Sequence, residues 1–206
     1  MTRFLLIRHA LTDAVGKIIS GRMEGVSLSP EGTSQAGKLA TRLSRVRVDA
    51  IYSSPLERAL KTAAPLAGML KLQPIICEDF NEVDFGEWTN CTLESISHQP
   101  AFKLFNSFRS CTRIPGGELM AEAQLRIVKG LEKLRLQHDD QTIVVVTHGD
   151  LIKAAVAYYA GIHLDMFQRI EISPASITII EIHEEIVRLL VINDTGEIGS
   201  LARGVA

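Results

Sequence analysis

The chain is predicted to be an α/β protein: a three-layer α/β/α sandwich with a mostly parallel central sheet and an inserted helical cap. Three observations carry this. Short apolar runs alternate with segments of helical periodicity. The early runs are continuously apolar, as parallel strands covered on both faces are. The runs ending at Ser53 and Val146 are each followed within a few residues by a polar turn and a new helical pattern, and the run ending at Ile7 by a longer polar stretch before the helix at Ser29-Pro30.

The elements follow in order. Residues 4–7, 50–53, 74–77 and 143–146 read as buried strands. Residues 176–182 and 186–193 alternate, and the short polar link His183-Glu184-Glu185 joins them as a hairpin near a sheet edge. Ser29 caps a helix with Pro30 in its first turn, and Ala36, Leu39, Ala40 and Leu43 keep helical spacing along it. Ser54-Pro55-Leu56-Glu57 has the form of a capping box. Residues 117–137 form a long helix with Ala121, Leu125, Val128 and Leu131 on one face, and residues 149–159 form another. Residues 89–117 break the alternation and read as the cap. Residues 1–193 then make one domain, and 194–206, rich in glycine, a flexible tail.

Composition excludes several classes. The chain has 206 residues, 46 % hydrophobic and 22 % charged, which suits one globular domain and not a disordered chain. A net charge of −2 argues against nucleic acid or an anionic membrane as partner. The apolar run Phe4-Leu5-Leu6-Ile7 ends at Arg8, too short for a leader or a span. Cys77, Cys91 and Cys111 are odd in number and form no CxxC pair, so a reducing, cytoplasmic setting is expected.

Open α/β sheets bind ligands outside the carboxyl ends of their strands. There the sequence places Arg8-His9, then Ser53-Ser54 with Arg58 a turn on, then the acids Glu78, Asp79, Glu82, Asp84 and Glu87, then Thr147-His148-Gly149. Brought to one mouth, they make a cationic pocket with one acid. Arginines match the geometry of a phosphoryl group, and backbone N–H groups at the helix start near Gly149 add anion affinity. A histidine serves as nucleophile, with neighbouring cations lowering its pKa, and a carboxylic acid protonates the leaving oxygen. The arginines carry the electrostatic load, so no metal or other cofactor is expected. A metal held by His9, His148 and Glu82 is disfavoured, because two arginines repel a cation.

The stretches LIRHALT, SSPLERALKTA, NEVDFGEW and VVVTHGDLIKA, in this order, resemble the histidine phosphatase superfamily, also called phosphoglycerate-mutase-like, from about Arg3 to about Glu181. The resemblance implies a phosphohistidine mechanism. His9 matches the nucleophile, Arg8 and Arg58 the phosphate-binding arginines, His148 the second pocket histidine and Glu82 the proton donor. Asp84 and Glu87 then structure a loop, and Trp88 packs. Ser20, Gly21 and Arg22 match the loop that approaches the phosphate. The sequence departs from the family pattern at Ala10, where a glycine is usual, at Leu11, where a glutamate is common, at Val15, where an asparagine is frequent, and at Asn90, where a glycine is frequent.

The short interval from Glu82 to His148 resembles the small phosphatases more than the cofactor-dependent mutases. The expected activity is a metal-independent phosphomonoesterase acting on a small phosphorylated metabolite. The alternatives are a phosphoglycerate mutase and a non-catalytic phosphate-binding module on the same scaffold; a homodimer is possible. In the cap, Phe102, Phe105 and Phe108 form a stripe read as packing. Lys103, Arg109 and Arg113 are candidate partners for a substrate carboxylate or second phosphate, and Pro115-Gly116-Gly117-Glu118 is a flexible entrance whose N–H groups approach the ligand.

Overall fold

Alternate residues of the first strand, β1 (Thr2–Arg8), feed two cores: Phe4 and Leu6 one, Leu5 and Ile7 the other. A strand buried on both faces must lie inside a covered sheet, and β1 does. The computed structural model describes residues 1–196. After β1 come α1 (Pro30–Leu43), β2 (Ala50–Ser53), α2 (Glu57–Leu70), β3 (Ile75–Ile76), α3 (Leu93–Ile96), α4 (Pro100–Ser107), α5 (Met120–Gln137), β4 (Thr142–Thr147), α6 (Gly149–Tyr159), β5 (Ile177–Ile182) and β6 (Val187–Asp194). The sheet order is β3-β2-β4-β1-β5-β6. The pairs β1–β4, β2–β4 and β2–β3 are parallel; β1–β5 and β5–β6 are antiparallel.

One core joins Leu5, Ile7, Ile51, Val144 and Val146 to Leu39, Leu43, Ala63 and Leu66 of α1 and α2. The other joins Phe4, Leu6, Val145 and Ile180 to Ile127 and Leu131 of α5 and to Leu151 and Ile152 of α6. The three-layer sandwich is therefore present. The 89–117 segment carries α3 and α4 and sits on the second core, where Phe102 and Phe105 stand edge-on to Trp88 at 5.2 and 5.3 Å between ring centroids.

Several details differ from the sequence reading. The third strand shrinks to Ile75–Ile76, both exposed, because it is the sheet's edge and no layer covers it. β5 is buried along its whole length, not half-buried, because it lies inside the sheet between β1 and β6. Its polar residues have partners: Glu181 accepts from Arg3 at 2.6 and 2.9 Å, and Thr178 Oγ1 accepts from the Asn193 N–H. α5 starts at Met120 and buries Met120, Ala123, Ile127, Val128, Leu131 and Leu134; Leu125, expected inside, is 53 % exposed. Phe108 leaves the stripe: it follows the last turn of α4 and is exposed. Ser29 caps α1 as expected, accepting from the Gly32 N–H at 3.0 Å. The Ser54 capping box does not form: α2 starts at Glu57 with Leu56 in the cap position, and the Ser54 hydroxyl accepts from the Leu56 N–H at 3.3 Å and faces His148. Asp194 ends β6 and pairs with Arg42 at 3.2 Å, so it is not part of a tail. Of the expected tail, 197–206 lie outside the described residues. Among the described residues, no helix is long and apolar enough to cross a membrane.

Candidate active site

β1 and β4 lie side by side in parallel, so Arg8-His9 and Thr147-His148 leave the sheet together. The two imidazoles face each other at 5.3 Å between centroids. His9 is buried, and its Nδ1 lies 2.8 Å from the carbonyl oxygen of Ala10. A carbonyl only accepts, so Nδ1 carries the proton and Nε2 keeps its lone pair. Burial, then the Arg58 and Arg8 charges, push the His9 imidazole down to about 3. The ring is neutral at physiological pH, with its free nitrogen available. Ala10 needs no glycine: its φ is not positive, and its N–H donates to Thr62 Oγ1 at 2.9 Å.

His148 has two polar flanks. Its Nε2 lies 2.8 Å from Ser54 Oγ, and its Nδ1 lies 3.4 Å from Arg58 Nη2. A guanidinium only donates, so Nδ1 accepts and Nε2–H donates to Ser54. Burial, then Arg58, hold this imidazole well below its ordinary range.

Arg58, in the first turn of α2, is 2 % exposed, and its Nη2 donates to the Gly21 carbonyl at 2.7 Å. Gly21 has φ +46°, and a Cβ there would stand 2.9 Å from Thr89 Oγ1, so a side chain would disturb that carbonyl. Arg8 donates through Nη1 to the Ile172 carbonyl at 2.6 Å, while its buried Nε has no partner. A Cβ on Gly149 would come within 3.2 Å of that Nε, so glycine at the start of α6 lets the guanidinium approach the helix N-terminus. That corner therefore gathers an orphan N–H and a helix N-terminus, both of which favour an anion.

Glu82 is the acid that reaches this centre. Its Oε2 lies 3.5 Å from His148 Nδ1 and 4.0 Å from Arg58 Nη2, and its side chain is 13 % exposed. Burial raises the carboxyl to about 7 against the pull of Arg58, and Asp150 adds to the rise. Its loop is fixed from behind. The Glu82 carbonyl accepts from Arg22 Nε at 2.9 Å and Arg126 Nη2 at 3.3 Å. Glu118 ties both arginines, at 3.0 and 3.1 Å, and accepts from the Asp84 N–H. Asp84 accepts from the Gly86 N–H, the loop role expected of it.

A cavity of about 290 Å³ joins these groups. It is lined at one end by Arg8, His9, Arg58, Glu82 and Gly149, with Ser20 and Gly21 beside them. Thr12, Val15, Gly16, Ile18, Ile19, Phe85, Leu93, Asp150 and Lys153 line the remainder, and His148, fully buried, stands behind the lining. Arg22 does not line it; its guanidinium is committed to Glu82, Glu118 and Asp84. The Pro115-Gly116-Gly117 turn does not reach it either. Its glycines permit loop-on-loop packing: a Cβ on Gly117 would lie 2.3 Å from the Asp84 carbonyl oxygen. Arg113 pairs with Glu122 at the surface, and Lys103 is exposed. Asn90 adopts φ +66°, the left-handed conformation that glycine favours and asparagine tolerates, so the turn into the cap is kept. The roles of Thr62, Ser54, Arg126, Glu118 and Asp150 carry no local signal; each is set by a distant contact.

Fold and site together define an enzyme pocket of the α/β class built around a neutral histidine, paired arginines and a protonatable glutamate. Residues 4–195 match the family described as the histidine phosphatase superfamily (branch 1), and the chain belongs to it. It is a phosphatase. It is 32 % identical over 208 residues to phosphoserine phosphatase 1 of Hydrogenobacter thermophilus, covering 97 % of this chain and 95 % of the relative. It is 32 % identical over 161 residues to the metal-independent phosphoserine phosphatase of Arabidopsis thaliana, covering 75 % and 67 %. Its fold matches a mutant phosphoserine phosphatase of Entamoeba histolytica in complex with phosphoserine, with a TM-score of 0.86, 30 % identity and coverage of 96 % and 100 %.

Proposed function

We propose that the chain hydrolyses the phosphate monoester of a small metabolite, without metal, through a phosphohistidine on His9. The carrying observation is geometric: His9, its Nε2 left free by the Nδ1 contact to the Ala10 carbonyl, and the Glu82 carboxyl line one cavity with Arg8 and Arg58, where burial lowers the imidazole and raises the carboxyl to about 7. His9 Nε2 attacks phosphorus as the ester P–O bond breaks. The leaving oxygen takes the Glu82 proton. Glu82, now a carboxylate, takes a proton from water, whose oxygen attacks the phosphohistidine and frees inorganic phosphate. Arg8, Arg58 and the N–H groups at Gly149 hold the equatorial oxygens throughout, with Ser20 and Gly21 forming the adjoining wall. His148 stays neutral and orients Glu82. Phosphoserine, which names the relatives, heads the panel of small esters to test. The reading places the protein in a reducing cytoplasm, supported by three unbridged cysteines; sedimentation decides between monomer and homodimer.

The test is hydrolysis of an aryl phosphate and of a panel of phosphometabolites in excess chelator, with an acid quench for phosphoenzyme. Turnover with acid-labile phosphate on His9, absent from His9→Ala, is expected. A rate undiminished in His9→Ala overturns the mechanism, and isomerisation of phosphoglycerate outpacing hydrolysis marks a mutase instead.

A further inference from the structure

The cap delivers one buried cation whose purpose the mechanism does not use. Arg109 follows α4 and is 4 % exposed. Its guanidinium carbon lies 4.4 Å from the centre of the Phe105 ring and 4.9 Å from that of Phe167, held between cap and core. The next residue anchors the same corner: the Ser110 N–H donates to Asp165 Oδ1 at 2.7 Å. Nη2 donates to Asn106, but Nε and Nη1 have no hydrogen-bond partner. A charge buried this way is costly unless an opposite charge answers it. The answering group is Asp150, whose Oδ2 lies 3.6 Å from Arg109 Nη1.

Asp150 stands in an awkward place. It follows Gly149 in the first turn of α6 and lines the cavity that holds the phosphoryl group. A carboxylate there repels a phosphate dianion, and nothing in the proposed chemistry requires it. Lys153, one turn further along α6, points to the Gln168 amide at 3.2 Å and not to Asp150. Arg109, which lies outside the cavity lining, is the cation that reaches Asp150 from behind the wall.

We propose that Arg109 is a positioning residue that neutralises Asp150 and draws its carboxylate toward the cap, so that the 89–117 segment sets how tightly the pocket holds its phosphate. The inference rests on the phosphatase reading of the cavity. It gives the cap a role in the affinity for the phosphate itself, besides any contact with the leaving group. The field of an unanswered Asp150 also reaches Glu82, whose other charged neighbours are Arg58 and Arg8, with the neutral His148 beside its carboxyl and Arg22 and Arg126 on its carbonyl.

The experiment compares Arg109→Met, which keeps a long side chain between the two rings, with Asp150→Asn and the double variant. Binding of inorganic phosphate is measured by calorimetry beside kcat and KM for an aryl phosphate. Arg109→Met is expected to weaken phosphate binding about tenfold and raise KM by a similar factor, since an unscreened like charge near an anion is worth roughly that much. Adding Asp150→Asn is expected to restore both. A loss that Asp150→Asn leaves in place, or no loss at all, overturns the proposal. Should Arg109→Met fail to fold, Arg109→Lys carries the same test. It keeps a charge but shortens the reach, and a partial loss cancelled by Asp150→Asn is expected. A wild-type chain that binds phosphate without turnover overturns the phosphatase reading alone, because the binding comparison stays readable.

Discussion

The site has a strand-borne half and a loop-borne half, and they are held in place by different forces. His9 and His148 leave adjacent parallel strands whose side chains fill two apolar cores, so packing of the sheet fixes their separation. Glu82 sits in a loop between a 3₁₀ turn at Glu78–Phe80 and another at Gly86–Trp88, with no strand under it. It is fixed by polar contacts instead: Arg22 and Arg126 on its carbonyl, Glu118 behind both, and the Val83 N–H on its own Oε1 at 2.9 Å. Apolar packing resists any displacement, whereas a polar clamp is lost with one of its members. The proposed nucleophile is therefore placed by the bulk of the protein and the proposed acid by a few named residues.

Substitutions separate the two halves. The largest effect belongs to the nucleophile. His9→Ala should lower kcat by at least about 10³-fold, with no phosphoenzyme in the acid quench. Arg58→Ala comes next. It removes a donor that grips the ground and transition states alike, so KM should rise and kcat fall together, with kcat/KM down about 10²-fold or more. Glu82→Gln should cost about 10²-fold for a poor alkyl leaving group and far less for a nitrophenolate, which leaves without a proton. Equal losses for both would remove Glu82 from the acid role. For the wild type, kcat/KM should fall as pH rises through about 7, because the protonated carboxyl is the active form. No acid limb from His9 should appear above about pH 4, since that ring is neutral down to about 3.

The clamp gives a smaller effect and the sharpest contrast. Arg126→Met should reduce kcat several-fold while leaving the phosphoenzyme able to form, because it loosens the acid and not the nucleophile. If Arg126→Met abolishes phosphoenzyme formation instead, the division between the halves is wrong. The smallest effect is on stability. The folded pKa of Glu82 lies above its unfolded value of 4.5, so the folded state binds the extra proton and stability falls as pH rises from about 4.5 to beyond 7. Glu82→Gln should then stabilise the fold more at pH 8 than at pH 5, by about 1–2 kcal/mol, read as a larger rise in melting temperature at the higher pH.

The same division runs through what the sequence makes legible. The strand-end residues Arg8, His9, Arg58 and His148 stand in local patterns, an apolar run closed by a polar pair or the start of a helix, and these were readable from spacing. Glu82 was one of five acids, and only its family resemblance set it apart. Periodicity misplaced the buried face of α5, because Leu125 faces solvent where Ala123 and Ile127 face the sheet. The proline after Ser54 suggested a capping box, but the hydroxyl serves His148, 94 residues away.

By itself the sequence determined the layers, the strand ends and the chemical types gathered there. Those follow from burial of alternate side chains and from caps and turns, which act over a few residues. Tertiary structure alone decided how Glu82 is clamped against the histidines, that Arg22 braces the Glu82 backbone carbonyl, and that Arg109 answers Asp150 from behind the cavity wall. Each of those is a charge or hydrogen bond between segments far apart in the chain. Such a contact depends on distances that no local pattern encodes.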